Sequence, residues 1–213
     1  MRGMMRGTVS VILLAALACG MASASAETIE SAYTTFNADK TCKHTKGTEP
    51  EDDGDWLCPG YANIPVRLAA GDQRMFVTFG KARKNDEDNL AESQTFPAFN
   101  DVYSGTVEWR LERSSGGKLR PFATILRWNI IAAGDKPAKG KNAIDPTGRV
   151  LVVTRLGPGG ICHVGYVDAR VNPDANELAR KLADEHARGF KCGKDKRIVL
   201  GQTGAVSMPT DDK

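Results

Sequence analysis

The stretch that decides the fold is residues 150–193, VLVVTRLGPGGICHVGYVDARVNPDANELARKLADEHARGFKCG. The run that begins at Val150 carries apolar side chains on both faces, which is typical of a central strand. Residues 157–160 predict a hairpin turn, because glycine allows positive φ and proline presets one turn position. A second strand, residues 161–171, is expected on the other side of that turn.

One helix is predicted after the second strand. Asn172 or Asp174 can cap it, and Glu177 follows Asp174 at the spacing of a capping box. Gly189 is a natural end. The apolar stripe of this helix consists of Ala175, Leu178, Ala179, Leu182 and His186. Its alanines let the helix lie close to a sheet, and His186 is expected to be a partly buried core histidine.

Cys192 follows the predicted helix, and its position favours a disulfide with Cys162. A helix of about 15 residues spans roughly 22 Å, and a strand of about 9 residues spans roughly 30 Å. If the helix folds back antiparallel over the strand, its C-terminal end approaches the strand's beginning, where Cys162 lies. The four cysteines beyond residue 26 allow three pairings. The favoured pairing adds a local bridge between Cys42 and Cys58.

Residues 1–26 are predicted to be a cleaved secretory signal peptide. Arg2 and Arg6 form a basic start, residues 9–18 form a short apolar run, and residues 24–26 form a small-residue cleavage site. The alternatives are a retained membrane anchor and a lipoprotein cleaved before Cys19. Export would place the four remaining cysteines in an oxidising compartment, where disulfides persist. The expected location is therefore periplasmic or secreted.

The mature chain, residues 27–213, is expected to form a single α+β domain with a polar tail after about residue 203. The whole chain has 29 lysines and arginines against 26 aspartates and glutamates, and Arg2 and Arg6 leave with the signal peptide. The mature chain is then nearly neutral, which argues against nucleic-acid binding. No segment beyond the signal peptide is apolar enough to cross a membrane.

An antiparallel meander is predicted before residue 150. Residues 61–80 favour a hairpin, and residues 105–113 and 119–131 favour two further strands. In the strand 105–113, alternate residues are expected to face the core (Val107, Trp109, Leu111) and the solvent (Thr106, Glu108, Arg110, Glu112). Residues 41–59 lack periodicity and predict a loop. The predicted fold is α+β: an antiparallel β meander of about six to seven strands, covered by one C-terminal helix and held by two disulfides.

No catalytic motif, cofactor site or metal site is predicted. The histidines, His44, His163 and His186, do not combine with the cysteines at zinc spacing. The acidic run 51–55 lacks the bidentate glutamate of an EF-hand, so a solvated loop is expected, with a different kind of calcium site as the alternative. Cys162 and His163 would point to opposite faces of a strand, so the histidine cannot readily activate the thiol.

The first candidate for a binding surface is the loop around Cys58, which the predicted Cys42–Cys58 disulfide would hold in place. It carries two aromatic residues, Trp56 and Tyr61, and between them Pro59. Small exported domains held by disulfides often present a rigid loop of this kind to a partner.

Two segments of the chain resemble a family of uncharacterised exported bacterial proteins. They are residues 162–169, CHVGYVDA, and residues 172–176, NPDAN, and the resemblance extends to Cys42 and to residues 58–61, CPGY. It implies a periplasmic or secreted location. It implies no activity, cofactor or catalytic residue.

These observations predict a non-enzymatic periplasmic or secreted protein, either a binding protein or an envelope-associated one, of unknown ligand. An inhibitor-like role is one form that this function could take. The partner would be an unknown protein or envelope component and not nucleic acid. The alternative is a periplasmic hydrolase that uses carboxylates such as Asp168, for which the sequence shows no second catalytic group.

Overall fold

The structure is a computed structural model that describes residues 28–48, 52–82, 87–114, 116–131 and 148–209. The predicted signal peptide, residues 1–26, lies outside the described residues. The start of the acidic run 51–55 and the last part of the predicted tail also lie outside them.

Strands make up most of the regular structure in the described part of the chain. They are β1 (Glu30–Asn37), β2 (Lys43–Thr45), β3 (Asp52–Tyr61), β4 (Ile64–Gly71), β5 (Arg74–Phe79), β6 (Asn100–Asp101), β7 (Ser104–Arg113), β8 (Leu119–Ile130), β9 (Gly148–Arg155), β10 (Cys162–Asp168) and β11 (Ile198–Val199). The helices are α1 (Ala38–Thr41), a 3-10 turn (Leu90–Glu92) and α2 (Ala175–Leu182), which continues as a π-helical turn (Ala183–Ala187).

The strands form two sheets, and α2 covers the outer face of the larger one. The larger sheet has the order β1-β7-β8-β9-β10-β11, with β6 paired to β8, and the smaller has the order β2-β3-β4-β5. Neighbouring strands are antiparallel except for β10 and β11. The α+β class, the meander from β7 to β10 and the covering C-terminal helix are all confirmed.

Two apolar cores separate these layers. The first lies between the sheets and contains Val107, Trp109 and Leu111, the residues of β7 that were predicted to face inward. The second lies between the larger sheet and α2, where Ala179 and Leu182 pack on the sheet. Burial of apolar surface on both sides of the larger sheet explains why β9 and β10 are apolar on both faces.

Both predicted disulfides are present. Cys42 bonds to Cys58, which ties the chain after α1 to β3. Cys162 bonds to Cys192, which ties the start of β10 to the chain beyond the helix. The helix therefore runs back over the strand as its length predicts. Arg155 secures the same end, because its guanidinium donates hydrogen bonds to the last carbonyl groups of the helix.

The prediction of a loop over residues 41–59 is wrong, because β2 and β3 pair within it. Gly54, Trp56 and Cys58 are buried while Asp55 and Leu57 are exposed, so the strand does alternate. The alternation is hidden in the sequence because a glycine and a cysteine occupy two of the inward positions.

The prediction that His186 is partly buried in the core is also wrong. Its side chain is 46% exposed, while Ala183 and Ala187 are fully buried against the sheet. The helix widens into a π-helical turn at Ala183–Ala187. This turn changes which side chains face the sheet, so Ala187 faces it and His186 does not.

Candidate functional site

A ladder of ion pairs joins strand β7 to the C-terminal helix. Charges of alternating sign stand at every second residue of the strand, and opposite charges stand at every fourth residue of the helix. These spacings are about 6.8 Å on a strand and about 6.0 Å on a helix, so the two rows stay in step. The pairs of this charge ladder are Glu108 with Arg180, Arg110 with Asp184, and Glu112 with Arg188.

The prediction that Glu108, Arg110 and Glu112 face solvent is wrong. Their side chains are 10%, 8% and 9% exposed and lie beside the helix. The alternation of apolar and charged residues in β7 correctly assigns them to two faces of the strand. Neither face is open to solvent, because the smaller sheet covers the apolar face and the helix covers the charged one. The alternating charge signs on the strand, matched at a spacing of four on the helix, are the sequence signal that could have revealed this packing.

Glu108 is a buried member of the charge ladder that accepts several hydrogen bonds. Its carboxylate accepts hydrogen bonds from Arg180 Nε at 2.7 Å, Arg180 Nη2 at 3.2 Å and Ser31 Oγ at 2.6 Å. Burial raises the pKa of Glu108, but the hydrogen bonds from Arg180 and Ser31 and the charges of Arg180 and Arg110 outweigh it. The net pKa lies below the ordinary value, so this carboxylate is ionised at neutral pH.

An open groove of about 390 Å³ lies beside the N-terminal half of α2, next to the Glu108–Arg180 pair. We call it the helix groove. The polar side chains that line it are Tyr33, Ser104, Thr106, Glu108, Arg127, Asn129, Asn176 and Arg180, and the apolar ones are Ile125 and Leu151. Sequence reasoning identified none of these residues as a site, because they come from β1, β7, β8, β9 and α2.

Arg127 lies on β8, just beyond the Glu108 end of the charge ladder. Its partner on β9 is Leu151. Ile125, two residues before Arg127 on β8, is the partner of Glu108 on β7. The helix places Asn176 there, and Arg127 Nη2 lies 3.5 Å from Asn176 Oδ1. Among the described residues no carboxylate forms an ion pair with Arg127. The helix groove therefore contains an exposed guanidinium beside neutral polar groups.

The predicted binding loop is part of β3, and its three candidate residues, Trp56, Pro59 and Tyr61, lie in different environments. Trp56 is buried in the first core and stacks on His44, with ring centroids 4.4 Å apart. Tyr61 is partly buried, 6.1 Å from the ring of Trp109. Pro59 is exposed and lines a second cavity of about 670 Å³. The large exposed side chain of this segment is Leu57.

Cys162 and His163 lie on opposite faces of β10, as predicted. Cys162 belongs to the core under the helix, while His163 packs edge-on against Trp128 between the sheets. His163 Nδ1 lies 3.1 Å from the hydroxyl of Tyr166. Burial, and next the charge of Arg197, lower the pKa of His163 to about 3. The imidazole is therefore neutral in the folded protein.

We expect acid to destabilise the protein through His163. The unfolded histidine takes up a proton below pH ~6.5 and the folded one does not until about pH 3, so the folded state loses about 1.4 kcal/mol per pH unit within that window. His163→Gln should flatten the dependence of unfolding free energy on pH between pH 6.5 and 5. The matched control is His186→Gln, at a histidine whose side chain is 46% exposed. A His163→Gln slope equal to that of the unaltered protein would contradict the assignment.

Asp168, the carboxylate suggested for the hydrolase alternative, has a structural position. It is 1% exposed. Its Oδ1 accepts a hydrogen bond from the backbone N–H of Arg170, and its Oδ2 accepts one from that of Gly204, both at 2.9 Å. The second bond holds the start of the predicted tail, where Val206 is buried in the first core.

Among the described residues, no cluster of three histidine, cysteine, aspartate or glutamate side chains is placed to hold a metal ion. No helix in this part of the chain has the length and apolar character needed to cross a bilayer. Comparison of the chain with protein-family models, with curated proteins and with solved structures finds no match in any of the three. The resemblance to an exported bacterial family stays a prediction.

Proposed function

We propose that the protein is an exported, non-enzymatic binding protein and that the helix groove holds a small polar ligand. The observation that carries the proposal is the arrangement of the groove, in which polar side chains surround an open cavity beside a buried ion-pair network. Binding sites are typically concave, largely preformed and equipped with a few placed polar groups. A volume of about 390 Å³ suits a ligand of modest size.

The charge ladder supports the proposal because it orders the Arg180 side chain, which lines the groove, before any ligand binds. Arg180 is held by two hydrogen bonds to Glu108. A side chain already ordered in the free protein loses little conformational entropy when a ligand binds. Because Glu108 and Arg180 pair with each other, the groups left to meet a ligand are the guanidinium of Arg127 and the neutral amides and hydroxyls.

Export is supported by the signal-peptide pattern of residues 1–26 together with the two disulfides. Disulfides persist in the periplasm and outside the cell and are rare in the cytosol. The hydrolase alternative gains no support from Asp168, since both of its carboxylate oxygens already accept backbone hydrogen bonds.

Native mass spectrometry of protein purified from the producing cell, without unfolding, tests the proposal. The protein mass should begin at Glu27, and a fraction should carry a small bound molecule. Thr106→Trp should remove that molecule by filling the groove, while Thr45→Trp, an exposed position on the smaller sheet, should retain it. A mass that includes Met1 would refute export with cleavage after Ala26. A molecule retained by Thr106→Trp, or none in any form, would refute binding in the groove.

A further inference from the structure

We infer that the ligand of the helix groove is an acidic saccharide, whose carboxylate binds Arg127 while its hydroxyls meet the neighbouring amides and hydroxyls. The inference rests on the proposed function, because it names the ligand class of the same site. Three features of the groove support it: its charge, its neutral polar groups and its exposed ring.

The charge of the groove favours a ligand with one negative charge. Two arginines and one glutamate line it. Arg180 and Glu108 neutralise each other at 2.7 Å, which leaves the charge of Arg127. A guanidinium is a planar fork of donors that matches a carboxylate with two parallel hydrogen bonds. A phosphate monoester carries about −1.5 to −2 charges and would need a second uncommitted cation.

The neutral groups favour hydroxyl-rich ligands. Asn129 and Asn176 provide amides beside Arg127, and Thr106 and Ser104 add hydroxyls from the start of β7. Amides and hydroxyls both donate and accept hydrogen bonds, as sugar hydroxyls do. This mixture can satisfy several adjacent sugar hydroxyls without adding charge.

An aromatic ring and an apolar floor complete the groove. Tyr33 is 55% exposed although it is a large side chain, and its hydroxyl lies 3.4 Å from Arg180 Nη2, which anchors the ring at the rim. Ile125 and Leu151 form the apolar floor. A tyrosine offers an apolar ring face together with a polar tip, so it suits the C–H face of a sugar ring. The volume of about 390 Å³ lies near the lower limit of ligand sites, which limits the occupant to a short saccharide.

Isothermal titration calorimetry with matched charged and neutral sugars tests the inference. The probes are glucuronate, galacturonate and mannuronate, each compared with its neutral hexose, and inorganic phosphate as a separate arm. At least one hexuronate should bind about 10-fold or more tightly than its hexose, because a hydrogen bond to a charged group contributes about one to two factors of ten. Its affinity should fall with added salt. Arg127→Leu should reduce that affinity about 10-fold or more.

Arg113→Leu is the matched control, because Arg113 is an exposed arginine at the end of β7 away from the helix groove. This variant should bind hexuronates with unchanged affinity. Four results would overturn the inference: a hexose that binds as tightly as its hexuronate, full affinity in Arg127→Leu, tighter binding of phosphate, or absence of binding by every hexuronate. In each case native mass spectrometry still decides independently whether the groove holds any ligand, so the failure of the two proposals can be distinguished.

Discussion

Replacing Cys162 and Cys192 together by alanine is expected to lower the free energy of unfolding by about 4 kcal/mol. The bridge closes a loop with a sequence separation of 30, and in the chain-entropy model such a loop contributes about 3.6 kcal/mol. Cys162 is also buried in the core under the helix. The helix side of that core is largely alanine, whose small side chains each bury little apolar area. The bridge therefore holds an element that packs weakly by itself.

The matched comparison is the double replacement of Cys42 and Cys58. That bridge has a sequence separation of 16, which corresponds to about 3.1 kcal/mol. It ties the chain between α1 and β2 to β3 of the smaller sheet. Each bridge joins one buried cysteine to one partly buried cysteine, so the comparison depends on loop length and on what each bridge holds. Urea unfolding of both variants measures the difference. An equal or larger loss at Cys42 and Cys58 would contradict the view that the helix depends more on its bridge.

Glu108→Ala is expected to destabilise the protein by about 2 kcal/mol. The carboxylate of Glu108, which is 10% exposed, accepts hydrogen bonds from Arg180 and Ser31, and a hydrogen bond to a charged group contributes about 1.5–3 kcal/mol. The loss is not larger because Arg180 is 36% exposed and can be hydrated, while Arg110 keeps Asp184 as its partner. Glu177→Ala is the matched control, because Glu177 is 70% exposed and lies 4.0 Å from the same Arg180. An exposed pair of this kind contributes about 0.5 kcal/mol.

The pH dependence gives a second test of Glu108. Its pKa is lowered in the folded state, so its contribution is complete above the unfolded pKa of about 4.3 and is lost as pH falls through the lower folded pKa. The stability difference between the unaltered protein and Glu108→Gln should therefore be constant near neutrality and shrink below pH ~4.3. Equal losses in Glu108→Ala and Glu177→Ala would show that the charge ladder does not hold the helix.

The sequence alone determined the elements whose signals are local. Strands β9 and β10 are long apolar runs on either side of a glycine-rich turn, and α2 has an apolar stripe at helical spacing. The disulfide between Cys162 and Cys192 followed from the lengths of one strand and one helix. These predictions succeeded because periodicity, turn chemistry and chain length act within a short segment. The predicted side-chain cap is wrong: Asp174 stands at the N-cap of α2, but its side chain makes no capping hydrogen bond.

The tertiary structure decided which polar residues are buried. Alternation in β7 separates two faces, but it cannot show that a helix with matching charges covers Glu108 and Arg110. Burial of Trp56 and exposure of His186 likewise depend on what packs against each residue. The helix groove is the strongest example, since Tyr33, Arg127 and Asn176 come from separate elements. Their proximity results from sheet register and helix packing, which are long-range interactions that no local pattern encodes.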